Sequence, residues 1–155
     1  MTRSTFAQRD VVVAGLGAGI AGALALAAYA ALVQTWAGEP LDAFYVYLAG
    51  IAGGPGVAQS SAAIPVGAAT LLVATIPWAF GYVHLARQQA QLVTRPVISG
   101  ICFGALVYLC MQIFLAFVQR FTPLTTYAVY RDLIGCMFLF GPALAWTAAH
   151  LLRTR

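Results

Sequence analysis

The chain has 155 residues, of which 62% are hydrophobic and only 8% are charged. Because soluble domains carry roughly 25% charged residues, this composition excludes an ordinary soluble protein and predicts an integral membrane protein. The net charge of +4 comes from eight arginines and four acidic residues. The arginines lie near chain ends and in loops without forming a basic patch, which argues against a nucleic-acid-binding protein.

The first apolar run covers residues 11–36, carries no charge and is long enough to cross a bilayer. Gly17, Gly19 and Gly22 form the pattern GxGxxG that opens dinucleotide-binding folds. Such a fold requires a polar-faced helix and an acidic residue roughly 20 positions later, whereas this run stays apolar, so we reject a nucleotide site. Gly15 and Gly19 form GxxxG, which favours close packing of a second membrane helix.

The connection that follows is not uniformly polar. Residues 41–52 are apolar and include Phe44, Tyr45 and Tyr47, but they are too few to cross a bilayer. Since tyrosines favour the headgroup region, this stretch predicts a surface-lying or re-entrant helix. An interfacial anchor and an outer contact surface both fit the stretch.

Three further runs are long enough to cross a bilayer, at about 63–86, 96–118 and 132–152. The second of these holds Gly100 and Gly104, another GxxxG pair. In the last run Gly141 begins a seam of small residues that continues with Ala145 and Ala149. We predict one all-α transmembrane domain, residues 1–155, built as a four-helix bundle in which Gly15, Gly19, Gly100, Gly104 and Gly141 pack helices together.

Arginine placement predicts the orientation, because positive loops stay in the cytoplasm. Four crossings put six arginines on one side: Arg3, Arg9, Arg87, Arg95, Arg153 and Arg155. Arg120 and Arg131 then lie on the other side with Glu39 and Asp42. We therefore expect a multi-pass protein of the bacterial inner membrane with both termini cytoplasmic.

An internal repeat relates the two halves of the chain. The first and third spans share GxxxG and a Val-Gln ending, at Val33–Gln34 and Val118–Gln119. The second and fourth spans both end in a histidine and an arginine one turn apart, at His84–Arg87 and His150–Arg153. Two tandem helical hairpins related by a pseudo-two-fold along the membrane normal would give this pattern. Chance alignment of common membrane residues would give it too.

This layout resembles the small four-helix bacterial inner-membrane proteins of the YagU type. The features that carry the resemblance are a glycine-spaced first helix, a long first outer loop, a histidine and an arginine ending the second helix, and a glycine-spaced third helix. In this sequence they are Gly15/Gly19, residues 39–61, His84/Arg87 and Gly100/Gly104. The function of that family is unassigned, so the resemblance implies a fold and no activity.

Few residues in the spans could carry chemistry. Their interiors hold no ionisable group suited to catalysis or ion coupling, and Gln112 is the only strongly polar side chain at depth. The three cysteines, Cys102, Cys110 and Cys136, lie in apolar runs without CxxC spacing, so we expect buried thiols and no metal site. We therefore expect no enzymatic activity.

His84 and His150 are the candidate cofactor ligands. Two imidazoles at one depth in a four-helix bundle can hold a haem through both axial positions, and a single one could ligate a chlorophyll-type pigment. The alternative is a pair of interfacial histidines that finish their helices beside Arg87 and Arg153.

Three functional classes follow. The first is a non-catalytic subunit that packs against other integral membrane subunits and lipid in a larger complex of respiratory or photosynthetic type, binding neither nucleic acid nor nucleotide. The second is a small homo-oligomeric transporter or channel. The third is a haem- or pigment-binding electron-transfer subunit. On the outer face, we expect Glu39 and Asp42 to pair with Arg131 and Asp132, or with Arg120.

Overall fold

The computed structural model of the chain describes residues 8–117 and 131–153, and all regular secondary structure in these two ranges is helical. The helices are α1 (Gln8–Ala37), α2 (Ala43–Gly53), α3 (Pro55–Ala58), α4 (Ala63–Gln88), α5 (Ala90–Thr94), α6 (Pro96–Phe117) and α7 (Arg131–Arg153). The predicted all-α class is confirmed for this part of the chain. Arg3, Arg120, Arg155 and the Val118–Gln119 ending lie outside the described residues.

Four helices are long and apolar enough to cross a membrane: α1, α4, α6 and α7. Each matches one of the predicted spans to within about one turn, and together they are consistent with a multi-pass membrane protein. The fourth has the lowest mean hydropathy, 1.4 against 2.2 for the first, because Pro142, Thr147 and His150 interrupt its apolar residues. Its 23 residues still extend about 35 Å, more than the roughly 30 Å of a hydrocarbon core.

Helix α1 packs along both α4 and α7, and α6 packs along α7. Much of the core between them consists of alanines such as Ala14, Ala18 and Ala79, all with no exposed surface. Helices α4 and α6 meet through larger rings, since Phe103 stacks edge-on against Trp78 and Tyr82 with centroids 6.4 and 5.1 Å away. Small residues thus bring α1 close to its neighbours, and aromatic rings fill the wider gap between α4 and α6.

Helix α7 contains a π-helical segment, Gly135–Phe140, which the sequence analysis did not predict. Pro142 has no N–H, so in a regular α-helix the carbonyl of Phe138 would lose its donor. In a π-helix each carbonyl accepts a hydrogen bond from the N–H five residues later in the chain. Here the Gly141 N–H donates to the carbonyl of Cys136. The wider turn therefore accommodates the proline within one continuous membrane-length helix.

The turns at the two ends of the helices are held by hydrogen bonds from side chains. At one end, the Tyr82 hydroxyl donates to the Leu92 carbonyl (3.1 Å) and lies 2.7 Å from Ser99 Oγ. The Arg153 guanidinium donates to the carbonyl of Val93 in the same turn. These bonds join α4, α5, α6 and the end of α7.

At the opposite end, Gln34 connects α1 to the start of α2. Its side chain is only 6% exposed. With its amide assigned the orientation that suits the neighbouring groups, it donates to the Leu41 carbonyl (2.9 Å) and accepts from the Phe44 N–H (2.5 Å). Helix α2 then lies against the first turns of α4, where a Cβ on Gly67 would collide with the backbone of Tyr45. The predicted short apolar helix at 41–52 is therefore present at Ala43–Gly53 and is packed on the transmembrane helices.

The expectation that all three cysteines are buried is wrong: Cys102 is exposed on α6, and Cys110 and Cys136 are only partly buried. In a membrane protein an apolar side chain can face outward at no cost, because lipid is as apolar as the protein interior.

Candidate functional site

The GxxxG pair of α1 lies at the contact with α4. A Cβ on Gly15 would come within 2.7 Å of the Phe80 ring, and one on Gly19 within 3.1 Å of the Ile76 Cα. The first distance is shorter than real Cβ contacts and the second is shorter than most of them, so glycine at both positions allows the two helices to pack closely. The partner of this seam is a helix of the same chain.

The other two glycines of the rejected nucleotide pattern face α7. A Cβ on Gly17 would lie 2.8 Å from Leu151 Cδ1, and one on Gly22 would lie 2.8 Å from the Phe140 ring. These glycines therefore serve helix packing as well, at a second face of α1.

Gly100, Gly104 and Gly141 lie together between α6 and α7. A Cβ on Gly100 would sit 2.6 Å from the Gly141 carbonyl oxygen, and one on Gly104 would collide with the Cys136 carbonyl. Since backbone meets backbone here, no side chain can move aside. All five glycines singled out from the sequence thus lie at contacts within the chain, so their motifs do not by themselves indicate an external helix.

His84 and His150 both have exposed side chains. His84 Nε2 lies 2.9 Å from Gln88 Nε2 on its own helix. His84 lies one turn beyond Phe80, the residue opposite Gly15, whereas His150 lies about two and a half turns beyond Gly141, the residue opposite Gly100. Relative to these contacts the two imidazoles do not occupy equivalent positions.

One exposed face of α4 is built from small residues. We call Ala69, Val73, Pro77 and Gly81 the α4 outer stripe; all four are exposed and follow one another at helical spacing of four. A Cβ on Gly81 would meet nothing within 4 Å among the described residues. The outward face of α1 differs, because it presents bulky side chains such as Leu24 and Leu32, which are 66% and 69% exposed.

The α4 outer stripe also carries a backbone acceptor. Pro77 lies inside α4 and has no N–H, so the carbonyl of Val73 loses its usual donor. Val73 is 72% exposed, so this part of the helix faces away from the other described helices. In a bilayer such a carbonyl needs a donor from a neighbouring helix or from local rearrangement, since the hydrocarbon offers none.

A cavity of about 220 Å³ lies between α1, α2 and α7 at the end of the molecule where α7 begins; we call it the outer cavity. Its apolar wall includes Leu26, Ala30, Val33 and Phe44. Its polar lining includes Tyr29, Gln34, Glu39, Tyr47, Arg131 and Asp132. The outer cavity therefore has an apolar side along the helices and a charged side at their ends.

The charged side is partly organised by direct bonds. Arg131 Nε donates to Asp132 Oδ1 at 2.8 Å, and these side chains are 35% and 44% exposed. The Tyr29 hydroxyl donates to the Arg131 carbonyl, also at 2.8 Å. Glu39 is exposed and follows the positive-φ residue Gly38 at the end of α1.

The structure brings together only some of the outer charges that the sequence analysis grouped. Glu39, Arg131 and Asp132 line one cavity, whereas Asp42 does not contribute to its lining. The ion pair in this part of the described chain joins the neighbours Arg131 and Asp132. Arg120 lies outside the described residues.

Tyr29 and Cys136 also line the outer cavity, and the sequence analysis identified neither as a site residue. For Tyr29 the available signal was a polar hydroxyl among the apolar residues 20–33 of α1. The direction that such a side chain faces could not be inferred, because its neighbours are apolar all round and give no amphipathic pattern. Cys136 lies in the π-helical segment, whose wider turn changes the direction of its side chain. No sequence pattern predicts that segment.

Comparisons of the chain with protein-family models, with curated proteins and with solved structures find no match. The similarity to the YagU type remains an expectation from the sequence.

Proposed function

We propose that this chain is a non-catalytic integral membrane subunit that stabilises a larger membrane complex by receiving a transmembrane helix of a partner on the α4 outer stripe. The observation that carries the proposal is the exposed small-residue face Ala69–Val73–Pro77–Gly81. Association of membrane helices depends on close van der Waals packing, which small residues allow. An approaching helix would fill the open space at Gly81.

The occupied glycine seams strengthen this assignment. Gly15, Gly19, Gly100 and Gly104 are already covered by helices of the same chain, so they are not available to a partner without unfolding. Among the membrane-length helices, α4 leaves a small-residue face outside, next to a carbonyl that lacks its helical donor. A partner helix with a serine, threonine or other donor side chain at that depth would satisfy the Val73 carbonyl.

We also propose that the four long helices form a bundle of two tandem hairpins, α1/α4 and α6/α7. The support is that each hairpin holds one GxxxG pair at its internal contact, Gly15/Gly19 against α4 and Gly100/Gly104 against α7. A pseudo-two-fold along the membrane normal would relate the two hairpins. The proposal places both termini on the cytoplasmic side of a bacterial inner membrane, following the arginine distribution.

The test is native mass spectrometry of the particle extracted from its own membrane in mild detergent. We expect the wild-type chain in a fixed ratio with at least one other membrane polypeptide. Gly81→Leu and Ala69→Leu should each reduce the recovered partner at least tenfold, because a leucine keeps the helices apart. Ala28→Leu is the matched control, since Ala28 is an exposed small residue on α1, and it should leave the partner bound.

Two results would overturn the proposal. Recovery of the wild-type chain as a stable monomer would show that no helix occupies the stripe. Equal loss of partner in Gly81→Leu and Ala28→Leu would show that the stripe is not the contact. A homo-oligomer as the sole species would favour the transporter class instead.

A further inference from the structure

We propose that the outer cavity binds a small alkylammonium ion, with its amine among the charged groups and its short apolar body along the apolar wall. This inference is independent of the proposed partner helix, because the cavity is formed by α1, α2 and α7, whereas the stripe lies on α4.

The charge of the lining favours a cation. Among the described residues, the lining has two carboxylates, Glu39 and Asp132, and one guanidinium, Arg131. The guanidinium already donates to Asp132, so an added anion would compete with an existing ion pair. An added cation would gain the attraction of Glu39 and of the pair's partly exposed carboxylate.

The aromatic lining favours the same charge. Tyr29, Phe44 and Tyr47 line the same cavity as Glu39, and aromatic faces attract ammonium groups through their quadrupole. A carboxylate and aromatic rings attract a protonated amine, whereas the same groups repel a phosphate or carboxylate ligand.

The size and the apolar wall limit the rest of the ligand. A volume of about 220 Å³ is below the roughly 300–1,000 Å³ typical of sites for drug-sized molecules. The wall formed by Leu26, Ala30 and Val33 matches a short hydrocarbon chain. The ligand is therefore either a free short-chain amine or the amine headgroup of a lipid whose acyl chains remain in the bilayer.

The test uses the full chain in phosphatidylcholine nanodiscs and radiolabelled n-hexylamine in equilibrium dialysis, with empty nanodiscs subtracted. We expect saturable binding of hexylammonium at pH 7, and binding at least tenfold weaker for the isosteric probes hexanol and hexanoate. Glu39→Gln should weaken hexylammonium binding about fivefold, as expected for losing one partly solvated charge contact. Asp42→Asn is the matched control, because Asp42 lies outside the cavity and its side chain makes no cap bond to α2.

A second variant tests the apolar wall. Ala30→Leu should reduce hexylammonium binding by occupying the cavity, with an unchanged melting temperature showing that the fold is intact. Equal binding of all three probes, or equal affinities in Glu39→Gln and wild type, would overturn the proposal.

The source of the amine is assigned by repeating the titration in nanodiscs of phosphatidylethanolamine. Weaker hexylammonium binding there, by competition with the lipid headgroup, identifies a lipid amine as the occupant. Equal affinity in both kinds of nanodisc identifies a free amine.

Discussion

Gly15, Gly17, Gly19 and Gly22 all lie at helix contacts, but they face two different helices. The GxxxG rule identified the pair that faces α4. Gly17 and Gly22, the pair that faces α7, belong to the rejected nucleotide pattern, and Gly22 also repeats the small-residue spacing with Ala18. A helix turns by about 100° per residue, so a run rich in glycine and alanine has small residues on several faces. The GxxxG motif marks one of these faces, but it does not show which faces contact other helices.

At the residue scale, we predict that Gly141→Ala destabilises the protein. The new Cβ would collide with the carbonyl oxygen of Gly100, and because the obstacle is backbone, the two helices must separate. Overpacking of this kind costs about 1–3 kcal/mol, which thermal unfolding in detergent would measure as a lower melting temperature.

The matched control is Gly81→Ala, which also adds a methyl group to a membrane helix. Its Cβ meets nothing within 4 Å in the described part of the chain, and alanine favours helix more than glycine does. The melting temperature of the isolated chain should be unchanged or slightly higher. Equal destabilisation by both variants would contradict the close approach of α6 and α7.

At the element scale, the position of α2 depends on one side chain. The Gln34 side chain bonds the Leu41 carbonyl before α2 and the Phe44 N–H in the first turn of α2. Among the hydrogen bonds described for this region, no other side chain bonds both segments. The sequence analysis used Gln34 only as part of a repeated Val-Gln ending. Its buried position in the last turn of α1 could not be inferred, because a single polar residue in an apolar run fits either an exposed or a bonded site.

We predict that Gln34→Leu loosens α2. The substitution leaves the Leu41 carbonyl and the Phe44 N–H without the bonds that the amide makes, and the net loss of a hydrogen bond costs about 0.5–1.5 kcal/mol. Hydrogen exchange should increase across residues 41–47, and the melting temperature should fall.

Thr35→Ala is the control for this prediction. The Thr35 hydroxyl donates to the Ala31 carbonyl on its own helix and is exposed, so its loss should affect neither measurement. Unchanged exchange in Gln34→Leu would show that α2 is held by its contact with α4 alone.

At the scale of the whole molecule, four membrane-length helices place the α4–α5–α6 turn on the side opposite to the α1–α2 connection. Combined with the arginine distribution, this predicts that Gln89 is cytoplasmic and Glu39 is external. Both residues are exposed, so either can carry a reporter cysteine in a chain whose native cysteines are replaced.

A membrane-impermeant maleimide applied to intact cells should label Glu39→Cys and leave Gln89→Cys unlabelled until the membrane is opened. The opposite pattern would reverse the orientation. Labelling of both residues in intact cells would contradict the number of crossings.

The sequence alone was enough to predict a helical chain with four apolar segments long enough to cross a membrane. Length and hydropathy suffice for that conclusion, because in a bilayer each segment must satisfy its backbone bonds internally. Tertiary structure decided which faces meet, how α7 accommodates Pro142 and where Glu39, Arg131 and Asp132 gather. These features depend on packing between segments distant in the chain, and uniformly apolar helices carry no amphipathic pattern that would reveal their neighbours.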